Sequence, residues 1–304
     1  MAVIDTGTNS TRLLIADVAP GQVDEVERLT TVTRLGEGVD SDGMLHSDAR
    51  ERVHACVERY SVAIRKAGPN RVMVIATSSV RESKDGAEFI TGLAGGFGYE
   101  SRVLSGVEEA SLSFSGAAIG SYPGERIALF DIGGGSTEVV TGRDSHVDFA
   151  RSLALGCVRL TERFLNSDPV EKEQLEEAAA FVSGTLEREI DLGLLVRPDR
   201  TLAVAGTATA LAAIDLSLQI YNRDLVHGHM MSYSRIEELL GQLAAMTITQ
   251  KLDIPTMERG RADVIVAGTL ILERLMMHTG AEDVTISERD ILDGAALSMY
   301  EGVL

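Results

Sequence analysis

The sequence predicts an α/β protein built from two related lobes, and three observations support this prediction. Short apolar strands alternate with amphipathic helical stretches along the chain, which is the pattern of an α/β fold. The turn pattern D-x-G-x-x-S-T occurs twice, as DTGTNST at residues 5–11 and as DIGGGST at residues 131–137. The length of 304 residues is enough for two compact lobes, each with its own core.

The first half of the chain begins with strands around the first copy of the turn. Apolar and alternating positions predict strands at residues 2–5, 11–18, 22–35 and 72–76. Helices are predicted at residues 47–68 and 107–118. The first of these helices has Ser47 as its N-cap and ends at Gly68, a residue type favoured just after a helix.

The pattern starts afresh at residue 126. Strands are predicted at residues 127–132, 137–142, 201–206 and 283–287, and helices at residues 157–166, 170–193, 234–246, 260–278 and from 290 onward. The two copies of the turn start 126 positions apart, a suitable size for one lobe of a duplicated protein. We therefore expect a first lobe of residues 1–117 plus 290–304, and a second lobe of residues 118–289.

The chain is strongly acidic, with a formal net charge of −18. A general nucleic-acid binder needs an extended basic surface, so this class of partner is excluded. No apolar run approaches the roughly 20 residues that cross a bilayer, and a turn motif that starts at Asp5 leaves no room for a secretory signal. With two cysteines, Cys56 and Cys157, the chain has no disulfide framework. We expect a cytoplasmic protein with no membrane partner.

The repeated turn is suited to binding phosphate. Glycines allow backbone N–H groups to approach an anion closely, and neighbouring hydroxyl and amide groups donate further hydrogen bonds. The leading Asp5 and Asp131 are suited to holding Mg²⁺, which prefers carboxylates and substrate phosphates. A single copy is equally well explained as a tight hairpin turn, but two matched copies favour phosphate binding. The predicted phosphate-binding residues are Gly7, Thr8, Asn9, Ser10, Gly133, Gly134, Gly135 and Ser136.

A third glycine element lies in VAGTATAL at residues 204–211. It combines a buried strand, a Gly-Thr turn and the start of a helix, an arrangement that presents N–H groups to an anion. Gly206 and Thr207 are therefore further predicted phosphate-binding residues. This signal is weak alone, because many strand-to-helix turns share it.

Several motifs in a fixed order resemble one family. They are DTGTNSTRLLIADV, ATSSVRES, SGVEEASLSFSGA, DIGGGSTEVV, LGCVRLTERF, VAGTATAL, GRADVIVAG and SERDILDG. The chain resembles the exopolyphosphatase/guanosine pentaphosphate phosphohydrolase family over nearly its whole length. The resemblance implies the two-lobed actin-like (ribonuclease H-like) fold, with the active site in the cleft between the lobes. It corresponds to the short, two-domain form, for which we expect short polyphosphates to be cleaved at least as efficiently as long ones.

The resemblance also implies roles for individual residues. Glu109, the second acid of SGVEEA, matches the proposed catalytic base of the family, although an acid at a helix start is common without any such role. Arg81 of ATSSVRES matches an arginine near the phosphate site. Asp131 and Glu138 match metal-binding acids, with Asp5 as an additional contributor. The implied cofactor is Mg²⁺ or Mn²⁺, and a homodimer is common in the family.

The resulting hypothesis is a metal-dependent hydrolase that removes terminal phosphate from inorganic polyphosphate, with guanosine pentaphosphate or nucleoside di- and triphosphates as further substrates. Two alternatives are a small-molecule kinase of the same superfamily and a non-catalytic sensor of nucleotides or polyphosphate. His227 and His229 form an H-x-H pair without further ligands at fitting spacing, so a structural role is favoured. Cys157 has no evident activating partner and is given no catalytic role.

Overall fold

The computed structural model describes residues 1–144, 146–191 and 198–304. Contacts within the chain divide it into two compact units, Met1–Ile119 with Arg289–Leu304, and Gly120–Glu288. Each unit contains one β-sheet with helices around it. Among the helices described, none is long and apolar enough to cross a membrane.

The first unit has five strands and six helices. The strands are β1 (Ala2–Thr6), β2 (Ser10–Ala19), β3 (Gln22–Val32), β4 (Val72–Ala76) and β5 (Glu100–Val103). The helices are α1 (Val39–Asp42), α2 (Ser47–Ala67), α3 (Ser78–Glu82), α4 (Gly86–Phe97), α5 (Gly106–Ala117) and the C-terminal helix of the chain, Ile291–Glu301.

The sheet of the first unit has the order β3-β2-β1-β4-β5. Strands β1, β2 and β3 are antiparallel neighbours, whereas β4 and β5 run parallel to β1. Alternate residues of a strand point to opposite faces of the sheet. Accordingly, Ile4 packs with the core formed by α2 and α4, while Val3 packs with the core formed by α5 and the C-terminal helix.

The helix α5 and the C-terminal helix cross at close range. A Cβ atom at Gly116 would lie 1.9 Å from the carbonyl oxygen of Asp290, and one at Gly294 would lie 1.9 Å from that of Leu112. Both positions therefore require glycine, because any side chain would force the backbones apart. This crossing fixes the amino-terminal end of the C-terminal helix against the first unit.

The second unit has six strands and eight helices among its described residues. The strands are β6 (Arg126–Ile132), β7 (Thr137–Arg143), β8 (His146–Leu153), β9 (Arg200–Val204), β10 (Met230–Ser232) and β11 (Asp283–Ile286). The helices are α6 (Cys157–Phe164), α7 (Lys172–Glu189), α8 (Ala205–Asp215), α9 (Arg223–Val226), α10 (Tyr233–Ala245), α11 (Ile248–Leu252), α12 (Arg259–Ala262) and α13 (Ile265–Thr279), so that the C-terminal helix is α14.

The sheet of the second unit repeats the order of the first. Its order is β10-β11-β9-β6-β7-β8, in which β6, β7 and β8 are antiparallel and β9 and β11 run parallel to β6. Strands β6, β7, β8, β9 and β11 thus occupy the places of β1, β2, β3, β4 and β5. The duplication predicted from the repeated turn is present in the arrangement of the strands.

Several predicted boundaries were wrong. The strand predicted at 22–35 ends at Val32, because the chain then turns back and Arg34 adopts a left-handed backbone with φ 49°. The helix predicted at 260–278 is interrupted: Val264 N–H bonds to the carbonyl of Arg261, which ends α12 before α13 begins. Strand β8 was not predicted. The end of the helix predicted at 170–193 falls partly outside the described residues.

Candidate active site

The first copy of the turn is a tight hairpin between β1 and β2. Gly7 N–H donates to the carbonyl oxygen of Ser10 at 3.0 Å. The segment that follows β3 bonds to the carbonyl groups of this turn. Arg34 N–H donates to the carbonyl of Asn9 at 2.8 Å, and Gly36 N–H donates to the carbonyl of Thr8 at 2.9 Å. The carbonyl groups of the turn therefore point away from its open side.

The second copy of the turn is built in the same way. Gly133 N–H donates to the carbonyl oxygen of Ser136 at 2.9 Å. Behind it, Cys157 N–H donates to the carbonyl of Gly133 at 3.0 Å, and Val158 N–H donates to that of Gly134 at 2.9 Å. Here too the carbonyl groups of the turn bond to the segment that follows the third strand of the sheet.

This arrangement leaves the amide side of each turn available to an anion. Within the described parts of the chain, no carbonyl accepts the N–H of Thr8, Gly134 or Gly135. Successive N–H groups that point to one side form a concave site for phosphate-like anions. This backbone geometry is compatible with phosphate binding, which stays a prediction for both hairpins.

The two hairpins differ in the residue opposite the leading aspartate. In the first, Asp5 pairs across the strands with Arg12, whose Nε and Nη2 donate to Asp5 Oδ2 at 3.0 and 2.7 Å. In the second, Asp131 pairs with Glu138. Directly paired positions of antiparallel strands place their side chains on the same face. The first hairpin thus has an ion pair, and the second has two carboxylates.

Arg12 belongs to a larger group of charges in the first unit. It also bonds to Asp290, the N-cap of α14, and Arg28 bonds to Asp293 at 2.7 Å. Burial raises the pKa of Asp5 above its ordinary value, although Arg12 opposes this. Burial would also raise the pKa of Asp290, but Arg12 and Arg28 hold that pKa below its ordinary value. These opposite charges compensate one another away from water.

The paired carboxylates of the second hairpin are almost fully buried. Asp131 is 8% exposed and Glu138 is 1% exposed. Ser152 on β8 donates a hydrogen bond from Oγ to Glu138 Oε1 at 2.6 Å, which fixes that carboxylate. Throughout residues 1–144, 146–191 and 198–304, no three His, Cys, Asp or Glu side chains converge as a complete metal site. Two carboxylates nevertheless fit Mg²⁺, which takes one or two from protein and the rest from water and phosphates.

The residues predicted for catalysis, Glu109 and Arg81, are in contact. A capping box between Ser105 and Glu108 starts α5, so Glu109 lies in the first turn of that helix. Arg81 Nη1 donates to Glu109 Oε2 at 2.8 Å and to the carbonyl of Leu104 at 2.8 Å. Glu109 is 7% exposed, so the arginine compensates a nearly buried carboxylate.

These residues lie at one edge of the first sheet. Asp5 is near the carboxyl end of β1, Arg81 follows β4, and Glu109 follows β5. Because the carboxyl ends of neighbouring parallel strands meet at the same edge, the three side chains belong to one region of the first unit. Ligands of open α/β sheets bind at this edge.

The third predicted phosphate-binding element lies in the first turn of α8, directly after β9. A Cβ atom at Gly206 would lie 3.4 Å from Arg261 Nη2, so this arginine covers the start of the helix. Thr207 is buried against Gly268, where a Cβ atom would lie 2.2 Å from Thr207 Oγ1. Arg261 was missed as a candidate residue, although the motif GRADVIVAG that contains it was recognised.

The histidine pair and the buried cysteine have separate environments. His227 Nδ1 accepts a hydrogen bond from Glu288 N–H at 3.2 Å, whereas His229 Nε2 bonds to Asp215 at 2.7 Å. Burial raises the pKa of the Cys157 thiol to about 12, which disfavours the reactive thiolate. These contacts give each residue a place in the packing of the second unit.

Two sheets of the same strand order, each with a glycine hairpin after its first strand, define a duplicated α/β protein of the ribonuclease H-like fold. A family model for the Ppx/GppA phosphatase family matches residues 14–302. The chain is 37% identical to exopolyphosphatase 2 of Mycobacterium tuberculosis over 314 aligned positions, which cover 98% of both chains. This chain belongs to the Ppx/GppA phosphatase family.

Solved structures agree with this assignment. An exopolyphosphatase-like protein superposes with a TM-score of 0.91 at 31% identity, covering 100% of this chain and 99% of the other. The Ppx/GppA family member from Aquifex aeolicus superposes with a TM-score of 0.83 at 26% identity, covering 99% and 97%. The α/β fold class, the family and the class of phosphoanhydride hydrolase predicted from the sequence are confirmed.

Proposed function

We propose that this chain hydrolyses the terminal phosphoanhydride bond of inorganic polyphosphate, with guanosine pentaphosphate and nucleoside di- and triphosphates as further candidate substrates. The observation that carries the proposal is the contact between Arg81 and Glu109 at the sheet edge that also bears the first hairpin. The names of the relatives, exopolyphosphatase 2 and exopolyphosphatase-like protein, support polyphosphate as the substrate. The reaction takes place in the cytoplasm.

The hairpins bind the phosphates. Backbone N–H groups of Thr8, Gly134 and Gly135 donate to phosphate oxygens, and the hydroxyl groups of the turns add further hydrogen bonds. Backbone donors suit a polymer of identical units, because they recognise the phosphate and not what is attached to it. The strong negative charge of the chain is offset locally by these donors and by Arg81.

A divalent cation, Mg²⁺ or Mn²⁺, would be held by Asp131 and Glu138. When bound, the cation neutralises charge on phosphate oxygens. Asp5 is the third acid proposed to bind metal, and Arg12 occupies its Oδ2 atom. Its Oδ1 atom is buried and has no hydrogen-bond partner among the described residues, so Oδ1 is the atom of Asp5 suited to a cation or to a water.

Glu109 orients the attacking water and accepts its proton. The water oxygen bonds to the terminal phosphorus and the bridging P–O bond breaks. Orthophosphate is released, and the remaining polyphosphate is one phosphate shorter. Arg81 stabilises the Glu109 carboxylate beforehand and lies next to the charge that develops on the phosphoryl group.

The substitution Glu109→Gln tests this role, because it keeps the size of the side chain and removes the basic carboxylate. We expect kcat for phosphate release to fall about 10²–10⁴-fold while the substrate Kd changes little. Glu108→Gln is the matched control: Glu108 is the neighbouring acid of the capping box, and its loss should leave kcat within a few-fold of wild type. A Glu109→Gln enzyme as active as this control would contradict the assignment.

A substrate panel separates the proposal from its alternatives. Phosphate release is measured on short and long polyphosphates, guanosine pentaphosphate and ATP, with Mg²⁺, with Mn²⁺ and with excess chelator. We expect polyphosphate hydrolysis that chelation abolishes and added metal restores. Binding of polyphosphate without release would favour a sensor, and phosphate transfer to an added alcohol or carboxylate would favour a kinase.

A further inference from the structure

Ser79 lies beside the first hairpin although it is far from it in sequence. Strand β4 runs parallel to β1, with Thr6 paired to Ala76, so the chains that leave these two strands start at the same edge of the sheet. The hairpin follows β1, and α3, which begins at Ser78, follows β4. Ser79 is therefore in the first turn of a short helix next to the phosphate-binding turn.

Gly36 brings the side chains of Thr8 and Ser79 together. A Cβ atom built on Gly36 would lie 2.3 Å from Thr8 Cγ2 and 3.1 Å from Ser79 Cβ. Both side chains thus pack against the place where a side chain at residue 36 would begin. The N–H of Gly36 also donates to the carbonyl of Thr8, so this glycine contacts both the backbone and the side chain of Thr8.

The hydroxyl groups of Thr8 and Ser79 are buried without a protein partner. Ser79 is 4% exposed and Thr8 is 8% exposed, yet neither hydroxyl oxygen has a hydrogen-bond partner among the described residues. Ser78, the preceding residue, is equally buried but donates to Glu82 Oε1 at 2.8 Å. Buried hydroxyl groups are nearly always hydrogen-bonded, so two neighbouring exceptions indicate a ligand that completes them.

We propose that Ser79 is a further phosphate-binding residue, which donates a hydrogen bond with Thr8 to an oxygen of the bound phosphate chain. The inference rests on the proposed function and adds a binding group to the same site. Gly36 is a positioning residue, because its lack of a side chain lets Thr8 and Ser79 approach each other. In the sequence, Ser79 has no feature that separates it from Ser78.

The substitution Ser79→Ala tests the proposal, with Ser78→Ala as the matched control on the same helix. Loss of a hydrogen bond to a charged oxygen should raise KM for polyphosphate about 10-fold or more and leave kcat within a few-fold of wild type. The melting temperature should not fall, because Ser79 has no partner to lose. Ser78→Ala should give the opposite result, a lower melting temperature and an unchanged KM.

A KM for Ser79→Ala within twofold of an active wild-type enzyme would overturn the proposal, as would equal KM changes in both variants. If wild type releases no phosphate from polyphosphate, the proposed function fails separately. The inference is then decided by the Kd for tripolyphosphate measured by calorimetry. A Kd weakened in Ser79→Ala alone supports it, and an unchanged Kd or no binding by wild type contradicts it.

A second pair of variants tests the positioning by Gly36. In Gly36→Ala the new methyl group displaces Thr8, so KM should rise. Thr8→Ser removes the Cγ2 atom that the methyl group would meet and keeps the hydroxyl. The double variant Thr8→Ser/Gly36→Ala should therefore recover a KM close to that of Thr8→Ser. A double variant as impaired as Gly36→Ala would show that displacement of Thr8 is not the cause.

Discussion

The hairpin at residues 5–12 and the hairpin at residues 131–138 share a backbone hydrogen-bond pattern but differ in charge. In both, the first glycine N–H bonds to the carbonyl three residues later, and the segment after the third strand bonds to the carbonyls of the turn. The aspartate of one hairpin lies opposite Arg12, and that of the other lies opposite Glu138. Duplication has thus preserved the glycine hairpin and changed the residue opposite the aspartate, so that one hairpin has an ion pair and the other has two carboxylates.

The glycines behind the two hairpins show a related difference. A Cβ atom at Gly156 would lie 2.2 Å from the carbonyl oxygen of Gly134, which is a backbone atom. The closest atom to a Cβ at Gly36 is instead the methyl group of Thr8, at 2.3 Å. In the second unit, Gly156 therefore packs against backbone, whereas in the first unit Gly36 packs against a side chain. For this reason only the contact at Gly36 can be relieved by changing a neighbouring side chain.

The largest expected effect comes from converting the second hairpin to the charge pattern of the first. Glu138→Arg places an arginine opposite Asp131, as Arg12 lies opposite Asp5. Because the cation would lose both its site and its charge attraction, phosphate release should fall about 10³-fold or more. The activity is measured with saturating Mg²⁺, and circular dichroism checks that the fold is retained. A folded Glu138→Arg protein with near-normal activity would place the metal elsewhere.

A smaller effect is expected from removing the arginine of the first hairpin. Arg12→Met leaves the buried carboxylates of Asp5 and Asp290 without their shared partner, and losing one member of a buried ion pair typically costs about 3–5 kcal/mol. Urea denaturation measures the free energy of unfolding. Arg12→Lys keeps the positive charge and should cost less. Equal losses in the two variants would show that shape, and not charge, makes Arg12 necessary.

The next effect concerns the residue that fixes Glu138. Ser152→Ala removes the hydrogen bond to Glu138 Oε1, and loss of such a supporting contact costs about 10–100-fold in metal affinity or activity. The duplication supplies the control, because Thr30 lies opposite Arg12 as Ser152 lies opposite Glu138. Thr30→Ala should leave the Mg²⁺ concentration for half-maximal activity unchanged. A similar shift in both variants would contradict the division of roles between the hairpins.

The smallest effect is a pH dependence at Asp5. Its pKa is raised in the folded state by burial, so ionisation of Asp5 opposes folding. Stability from this residue is fully present below the ordinary aspartate pKa and is lost as pH rises through the raised value. The free energy of unfolding of wild type relative to Asp5→Asn should therefore decrease with rising pH over that interval. An increase would mean that Arg12 outweighs burial.

The sequence alone predicted the class of fold and much of the candidate site. Repetition of a short polar turn between apolar strands was visible without any structure, and family motifs added Glu109 and Arg81. Ser79, Arg12 and Arg261 were not predicted as site residues. Ser79 and Arg261 gain their places through a glycine that is distant in the chain, and Arg12 gains its place through Asp290 as well as through its own hairpin. One sequence contains no sign of the distant contacts.

The sequence by itself determined the duplication, the glycine turns and the position of the acids, because these depend on local backbone geometry and on side-chain type. The tertiary structure decided how those acids are paired. Register across β1 and β2 gives Asp5 an arginine, and register across β6 and β7 gives Asp131 a second carboxylate. Parallel pairing of β1, β4 and β5 decided that Ser79 and Glu109 share an edge with the first hairpin. The physical reason is that strand pairing joins residues by hydrogen bonds between backbones, regardless of their separation in the chain.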